Sequence, residues 1–386
     1  MSRVALVDGD SRVLIVEPDS GERKKITGYG DSHLWPVWSP DGKQIVFSAY
    51  SVVSDGLCRL RLMRHDLSEL DAGVAFEGEP GSDAIAPRTP HYAIWSPDGR
   101  RIALMARNML RKGLSLYIVD PAGGNATERF LDGAPLFVSW SPDSRFLLVH
   151  SRSEHFLINF QDDTHVKRLS YKSGLYGAPA WSPVGESFAV MHESPGGKQT
   201  LWLVNTTGEP VAELAQLDGP SAFAYSPKGD QLALLRGPIG QSRFFNERWV
   251  APGSGGRERR LVGEPVFAFY WSPTGDRIAF VTVASGSDGV MRLGVVSVSS
   301  AMANYVADFQ PTEEQITQFM FFDQYSQSHN PWSPDGRGMV FAGSLTKEYA
   351  KGVEANENPG VFLVNVAGEG GVRRLGDGVR GTWERG

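Results

Sequence analysis

Short apolar runs alternate with polar turns along the whole chain, and they return in one fixed order. Ile45-Val46-Phe47, Ile102-Ala103-Leu104, Leu147-Leu148-Val149, Phe188-Ala189-Val190, Leu232-Ala233-Leu234, Ile278-Ala279-Phe280 and Met339-Val340-Phe341 each follow a tight polar segment led by an aromatic. Runs this short, bounded by Gly, Pro and Asp, predict strands. The leading segment is Trp38-Ser39-Pro40-Asp41-Gly42, and it recurs with small changes from Trp95, Trp140, Trp181, Tyr225, Trp271 and Trp332. Those aromatics lie 57, 45, 41, 44, 46 and 61 residues apart. Proline presets φ for the second position of a type I turn, and glycine suits the position after it, so each segment predicts a hairpin between two strands.

A third strand follows, as in Leu116-Tyr117-Ile118-Val119, Phe156-Leu157-Ile158, Leu201-Trp202-Leu203-Val204 and Val361-Phe362-Leu363-Val364. Turns rich in Asp, Asn and Gly end it. A polar fourth strand closes the unit: Lys167-Arg168-Leu169, Arg259-Arg260-Leu261, Arg373-Arg374-Leu375. Basic residues there suit an outer edge that must not pair with strangers. Four strands per unit at this period predict an all-β fold, a β-propeller of four-stranded blades forming a single domain over residues 1–386. Eight blades are expected, with seven as the second choice. Residues 4–27 supply strands two to four of a blade without its first, and Arg380-Gly381-Thr382-Trp383 supplies a lone first strand, so the two ends are expected to pair in one blade.

The net charge of −6 lacks the basic face that a nucleic-acid backbone requires, so no nucleic-acid partner is expected. The lone cysteine, Cys58, excludes an intrachain disulfide and reads as a buried strand thiol. No apolar run approaches a membrane span, and a monomer without direct membrane insertion is expected. The N-terminus enters a strand pattern directly, without a charged start and apolar stretch. The chain as written is therefore expected in the cytoplasm, or in the periplasm if a leader has been trimmed.

Trp38-Ser39-Pro40-Asp41-Gly42-Lys43-Gln44-Ile45-Val46-Phe47 and Trp95-Ser96-Pro97-Asp98-Gly99-Arg100-Arg101-Ile102-Ala103-Leu104 resemble the TolB-like propeller repeat, a relative of WD-repeat blades. The resemblance covers essentially the whole chain and implies the propeller fold. The roles it implies are diverse. TolB is a periplasmic partner in an envelope complex and carries an extra N-terminal domain for which this chain has no room. Prolyl-oligopeptidase-type enzymes set such a propeller over a hydrolase domain, but no Gly-x-Ser-x-Gly elbow occurs here. Some oligosaccharide lyases resemble these propellers and hold a metal with funnel histidines.

Long connections are expected on the face opposite the Ser-Pro-Asp-Gly turns, at 49–56, 77–90, 192–199, 311–330 and 343–359. Binding groups favour such loops. His33, His91 and His329 stand shortly before a blade tryptophan, where other blades carry Phe137, Tyr176 and Phe267. Three imidazoles could hold Zn²⁺ or Mn²⁺, or could bond or stack on a ligand. Thr312-Glu313-Glu314-Gln315 has capping-box spacing before Ile316, Phe319 and Met320, which predicts a short helix. That helix either plugs a gap with its aromatics or forms a lid bringing Asp323, Gln324, Tyr325 and His329 to the channel mouth. The expected ligand-binding set is His33, Trp35, His91, Tyr92, Phe137, Tyr176, Phe267, Asp323, Gln324, Tyr325, His329 and Arg380. The leading expectation is a non-catalytic binding or scaffolding propeller, needing no cofactor or metal, which recognises a small molecule, peptide or protein at the long-loop face. A lyase or hydrolase in the axial funnel, or an accessory subunit of a membrane transport or envelope complex, are the alternatives.

Overall fold

The computed structural model describes residues 2–28, 30–50, 58–64, 73–77, 85, 88–108, 113–121, 127–161, 164–175, 177–237, 247–284, 289–350, 352–353, 358–366 and 371–385. Tyr176, the Cys58 side chain and much of the connections at 49–56, 77–90 and 343–359 lie outside them. Among the described residues the strands form six antiparallel sheets of four and one of seven.

Five four-stranded sheets follow one another in the chain: from Ser32–Trp38 to Gly73–Glu77, from His91–Trp95 to Thr127–Gly133, from Leu136–Trp140 to His165–Lys172, from Ala180–Trp181 to Pro210–Leu217, and from Ser221–Tyr225 to Arg259–Arg260. The sixth combines both chain ends. Arg380–Trp383 pairs with Val4–Val7, placing Val4 opposite Trp383 and Val7 opposite Arg380, and Val13–Val16 and Arg23–Lys25 complete it. The seven-stranded sheet starts at Ala268–Trp271 and runs to Ala303–Pro311. It continues into Gly338–Leu345, Gly360–Asn365 and Val372–Asp377, because Phe309–Pro311 pair with Gly343–Leu345. Trp332 joins that second half through a single bridge to Met339.

The Ser-Pro-Asp-Gly segments are the turns expected. Gly42 N–H donates to the Ser39 carbonyl at 3.0 Å, and Gly42 takes φ of 67°, a conformation that glycine tolerates. The serine has a second task. Ser39 Oγ donates to Asp41 Oδ1 at 2.7 Å and accepts from Gln44 N–H at 2.9 Å, tying the turn to the start of the next strand.

The tryptophans tie neighbouring sheets together. The indole N–H of Trp271 donates to the carbonyl of Ala224, the residue before Tyr225, at 3.0 Å. Trp332 donates to Tyr270 at 3.0 Å, and Trp383 to Pro331 at 2.9 Å. Trp95 to Val37 and Trp140 to Ile94 repeat the arrangement at 3.4 Å. In each case the acceptor immediately precedes the aromatic of the previous repeat. One residue type thus marks the repeat in sequence and bridges it in space. Apolar side chains of consecutive sheets, such as Trp38, Phe47, Ile94, Val138 and Leu147, merge into shared clusters between them. A sheet with both faces to cover buries them only against its neighbours.

Candidate functional site: a cavity beside a buried helical insert

The long step before Trp332 contains two helices. Helix α1 spans Glu313–Met320, and Thr312 caps it, accepting from Gln315 N–H at 3.2 Å. The glutamine does not return to the cap as a capping box would. Its Oε1 accepts from Ala342 N–H at 2.9 Å and its Nε2 donates to Gln318 Oε1 at 2.8 Å. A second helix, α2 (Phe322–Tyr325), was not foreshadowed by the apolar spacing.

The insert lies among the first strands of several sheets. Gln324 Oε1 accepts from Val138 N–H at 2.8 Å, and its Nε2 donates to the Val138 carbonyl at 3.0 Å and to the Tyr92 hydroxyl at 3.2 Å. Tyr92 in turn donates to the Gln324 carbonyl at 2.8 Å. Asp323 Oδ2 accepts from Ala178 N–H at 2.8 Å. Thr312 Oγ1 donates to the Val379 carbonyl at 2.6 Å, and Phe322 packs 5.0 Å from Phe269.

Most of the expected binding set surrounds this insert and is buried. Tyr325 stacks on Trp35 with centroids 4.7 Å apart and meets Tyr92 edge-on at 4.9 Å. The Arg380 guanidinium lies 3.9 Å over the Trp35 ring and donates through Nη1 to the Glu314 carbonyl at 3.3 Å. Burial lowers Arg380 to about 10. Trp35 itself adopts φ of 54°, where the strand shifts register between Leu34 and Val37, and its indole N–H donates to the Arg88 carbonyl at 2.8 Å. A left-handed tryptophan costs about 1–2 kcal/mol, and the stacked aromatics and cation around it hold it there. Arg88 also pairs with the buried Glu314 of the insert.

The three histidines are engaged separately. His91 Nδ1 bonds Ser48 Oγ at 3.1 Å. His329 uses both ring nitrogens, Nδ1 with Ser328 Oγ at 2.8 Å and Nε2 with the Pro36 carbonyl at 3.2 Å. His33 sits edge-on to Phe47 at 5.4 Å. Burial lowers His91 to about 4 and, with the Arg380 and Arg385 charges, takes His329 well below the usual histidine range. Among the described residues no group of three His, Cys, Asp or Glu side chains is arranged to hold a metal ion. The three imidazoles, which could have held a metal together, instead meet three different partners: Phe47 for His33, Ser48 for His91, and Ser328 and the Pro36 carbonyl for His329. Phe137 is buried within the first strand of its sheet, and Phe267 just before the first strand of its own.

An open cavity of about 450 Å³ lies on the turn face. The turn prolines Pro97, Pro142, Pro183, Pro227 and Pro273 rim it, and Trp140, Trp181, Tyr225 and Trp271 form its walls. The insert supplies the floor with Phe322 and the half-buried polar residues Asp323, Ser326, Gln327 and Asn330. Of the described residues in the expected set, Asp323 alone lines this cavity. The wall aromatics carried a signal that was legible but assigned to structure, since each ends a first strand just before its turn. In the structure they end the first strands and also line this cavity.

No family model and no curated protein matches the chain. Solved structures do. A eukaryotic initiation factor aligns over 100% of this chain and 98% of its own at 10% identity and a TM-score of 0.60. An oligogalacturonate lyase from Vibrio parahaemolyticus aligns over 98% and 85% at 13% identity and a TM-score of 0.50. TolB from Acinetobacter baumannii aligns over 78% of this chain at 17% identity and a TM-score of 0.43, and the match spans 62% of TolB's length. The likeness is one of fold: the chain is an all-β protein of the propeller class. Among the described residues no helix is long and apolar enough to cross a membrane.

Proposed function

We propose that this chain is a binding propeller without chemistry of its own, and that its ligand enters the cavity on the turn face. One observation carries the reading: tryptophans of three sheets, a tyrosine of a fourth and the floor of the insert converge on a single cavity of about 450 Å³. Ligand sites are typically concave, mostly apolar, and furnished with a few fixed polar groups. Trp35, Tyr92 and Arg380, expected at the opposite mouth, instead pack on the insert through Tyr325, Gln324 and Glu314, which favours the turn face for binding. The enzyme reading rests on fold likeness to a lyase alone.

The same reading takes the sheets as eight blades of one closed ring, with Trp332 as the first strand of the eighth and both chain ends sharing a blade. The pairing of Arg380–Trp383 with Val4–Val7 and the relay of indole bonds between successive repeats support it. A chain truncated after Val379 is expected to unfold at markedly lower urea. An unchanged midpoint would sink the closure.

The cavity is tested by filling it. Saturation-transfer NMR of the full chain against a panel of neutral, cationic and anionic fragments is expected to give hits that Ser326→Phe abolishes while its thermal midpoint is retained. Hits indifferent to that substitution, or none at all, would refute a ligand at this position.

A further inference from the structure

We infer that the ligand of the turn face carries an acidic group, a carboxylate or a phosphate, which Arg385 receives in a second cavity beside the first; this deepens the binding reading and rests on it. The second cavity measures about 380 Å³. It shares Pro97, Trp140 and Gln327 with the first, so the two adjoin. Trp38 and Trp95 extend the aromatic lining into it. Among the residues lining it, Arg385 is the one side chain ionised at neutral pH.

The pairing of the two chain ends sets this arginine in place. Arg380–Trp383 lies along Val4–Val7, and Glu384 N–H donates to the Arg3 carbonyl at 2.7 Å. Arg385 then abuts the first Ser-Pro-Asp-Gly turn, its carbonyl 2.9 Å from where a Cβ on Gly42 would stand. The adjacent carboxylate is already engaged: Glu384 Oε2 accepts from Arg3 N–H at 3.0 Å and from Arg3 Nε at 2.9 Å. Among the described residues no carboxylate pairs with Arg385, which is half-buried. Burial lowers its pKa from the usual arginine value. A guanidinium drawn out of water without a counter-charge is costly, and its planar fork matches a carboxylate or a phosphate. Gln327 Nε2 donates to the Val138 carbonyl at 2.9 Å and keeps a second N–H for the same group. The ionised residues also fix the direction of the ligand. Asp323 lines the first cavity and not the second, so an acidic group is repelled from the one and received in the other. The apolar body of the ligand reaches the first cavity along Trp140, which both share.

The acidic group has two sources, an organic carboxylate or a phosphate monoester. Calorimetric titration of the full chain with benzoate, with phenyl phosphate, and with benzamide, the uncharged isostere of benzoate, separates them. At least one anion is expected to bind saturably and on the order of tenfold tighter than benzamide. Which anion binds more tightly identifies the source. Arg385→Gln is expected to erase the preference for charge with the thermal midpoint unchanged, since no ion pair is lost. Arg385→Lys, which keeps the charge without the fork, is expected to weaken the anion about threefold. Equal affinity for the anions and benzamide overturns the inference and leaves the binding reading standing. Absence of binding by both anions overturns it as well, while fragment hits abolished by Ser326→Phe would still support the binding reading. An Arg385→Gln protein that keeps the preference for charge also overturns the inference.

Discussion

The helical insert and the Ser-Pro-Asp-Gly turns stabilise the same first strands in opposite ways. Each turn closes on itself. Ser96 Oγ donates to Asp98 Oδ1, Ser141 Oγ to Asp143 Oδ1 and Ser333 Oγ to Asp335 Oδ1, each at 2.6 Å and two residues away in sequence. The insert makes single-copy bonds across very long sequence separations, from Gln324 to Val138, from Asp323 to Ala178 and from His329 to Pro36. Local, repeated chemistry shapes each sheet with redundancy. Unrepeated, non-local chemistry decides what fills the space between them, and no copy elsewhere can replace it.

Substitutions in the insert should therefore cost far more than matched ones in the repeats. Tyr325→Ala removes the stack on Trp35, the edge contact with Tyr92 and a neighbour of Arg380, and should destabilise by about 3–5 kcal/mol in urea unfolding. A loss under 1 kcal/mol would mean that the insert decorates the fold without bracing it. Gln324→Ala strands the backbone N–H of Val138 in a buried position, while Gln327 Nε2 still donates to the Val138 carbonyl at 2.9 Å, an expected loss of about 1–3 kcal/mol.

Acid should act through the buried histidines. The folded chain holds His91 at about 4 and His155, stacked 4.3 Å from His150, at about 3, both chiefly by burial. Below the unfolded value of 6.5 the unfolded chain takes up protons that the native one refuses. The stability is thus complete above pH 6.5 and falls by about 1.4 kcal/mol per pH unit for each such histidine until the folded pKa is reached. Denaturant midpoints measured between pH 7 and 5 should decline steadily, and flat midpoints would show these imidazoles to be solvated.

The smallest effect separates two tryptophans of the repeat itself. Trp271→Phe breaks an indole bond to Ala224, whereas Trp181→Phe breaks none. Both remove similar volume, so the first should be the more damaging by about 1 kcal/mol. Equal losses would show that the indole bonds between sheets add nothing beyond packing.

The repeat was legible because its determinants are local. Proline, the positive φ of Gly42 and the Ser39–Asp41 bond act within a few residues, so the same letters mark each hairpin. Both chain ends announced their pairing through a missing first strand and a spare one. The capped start of α1 was legible for the same reason, since the capping bond runs only from Gln315 N–H to Thr312 Oγ1.

The surroundings of the insert were not legible. Its polar residues read equally well as a lid or as a plug, since nothing local distinguishes a glutamine facing solvent from one facing Val138. His33, His91 and His329 shared a sequence position ahead of their tryptophans, yet each met a different partner, Phe47, Ser48 and the Pro36 carbonyl. The amino-acid sequence by itself determined the strands, their turns and the order of the sheets, because those depend on neighbours along the chain. Tertiary structure alone decided that the insert would be buried, that Asp323 would reach the turn face and that four repeat aromatics would become the walls of a cavity, because those outcomes depend on which distant strands meet.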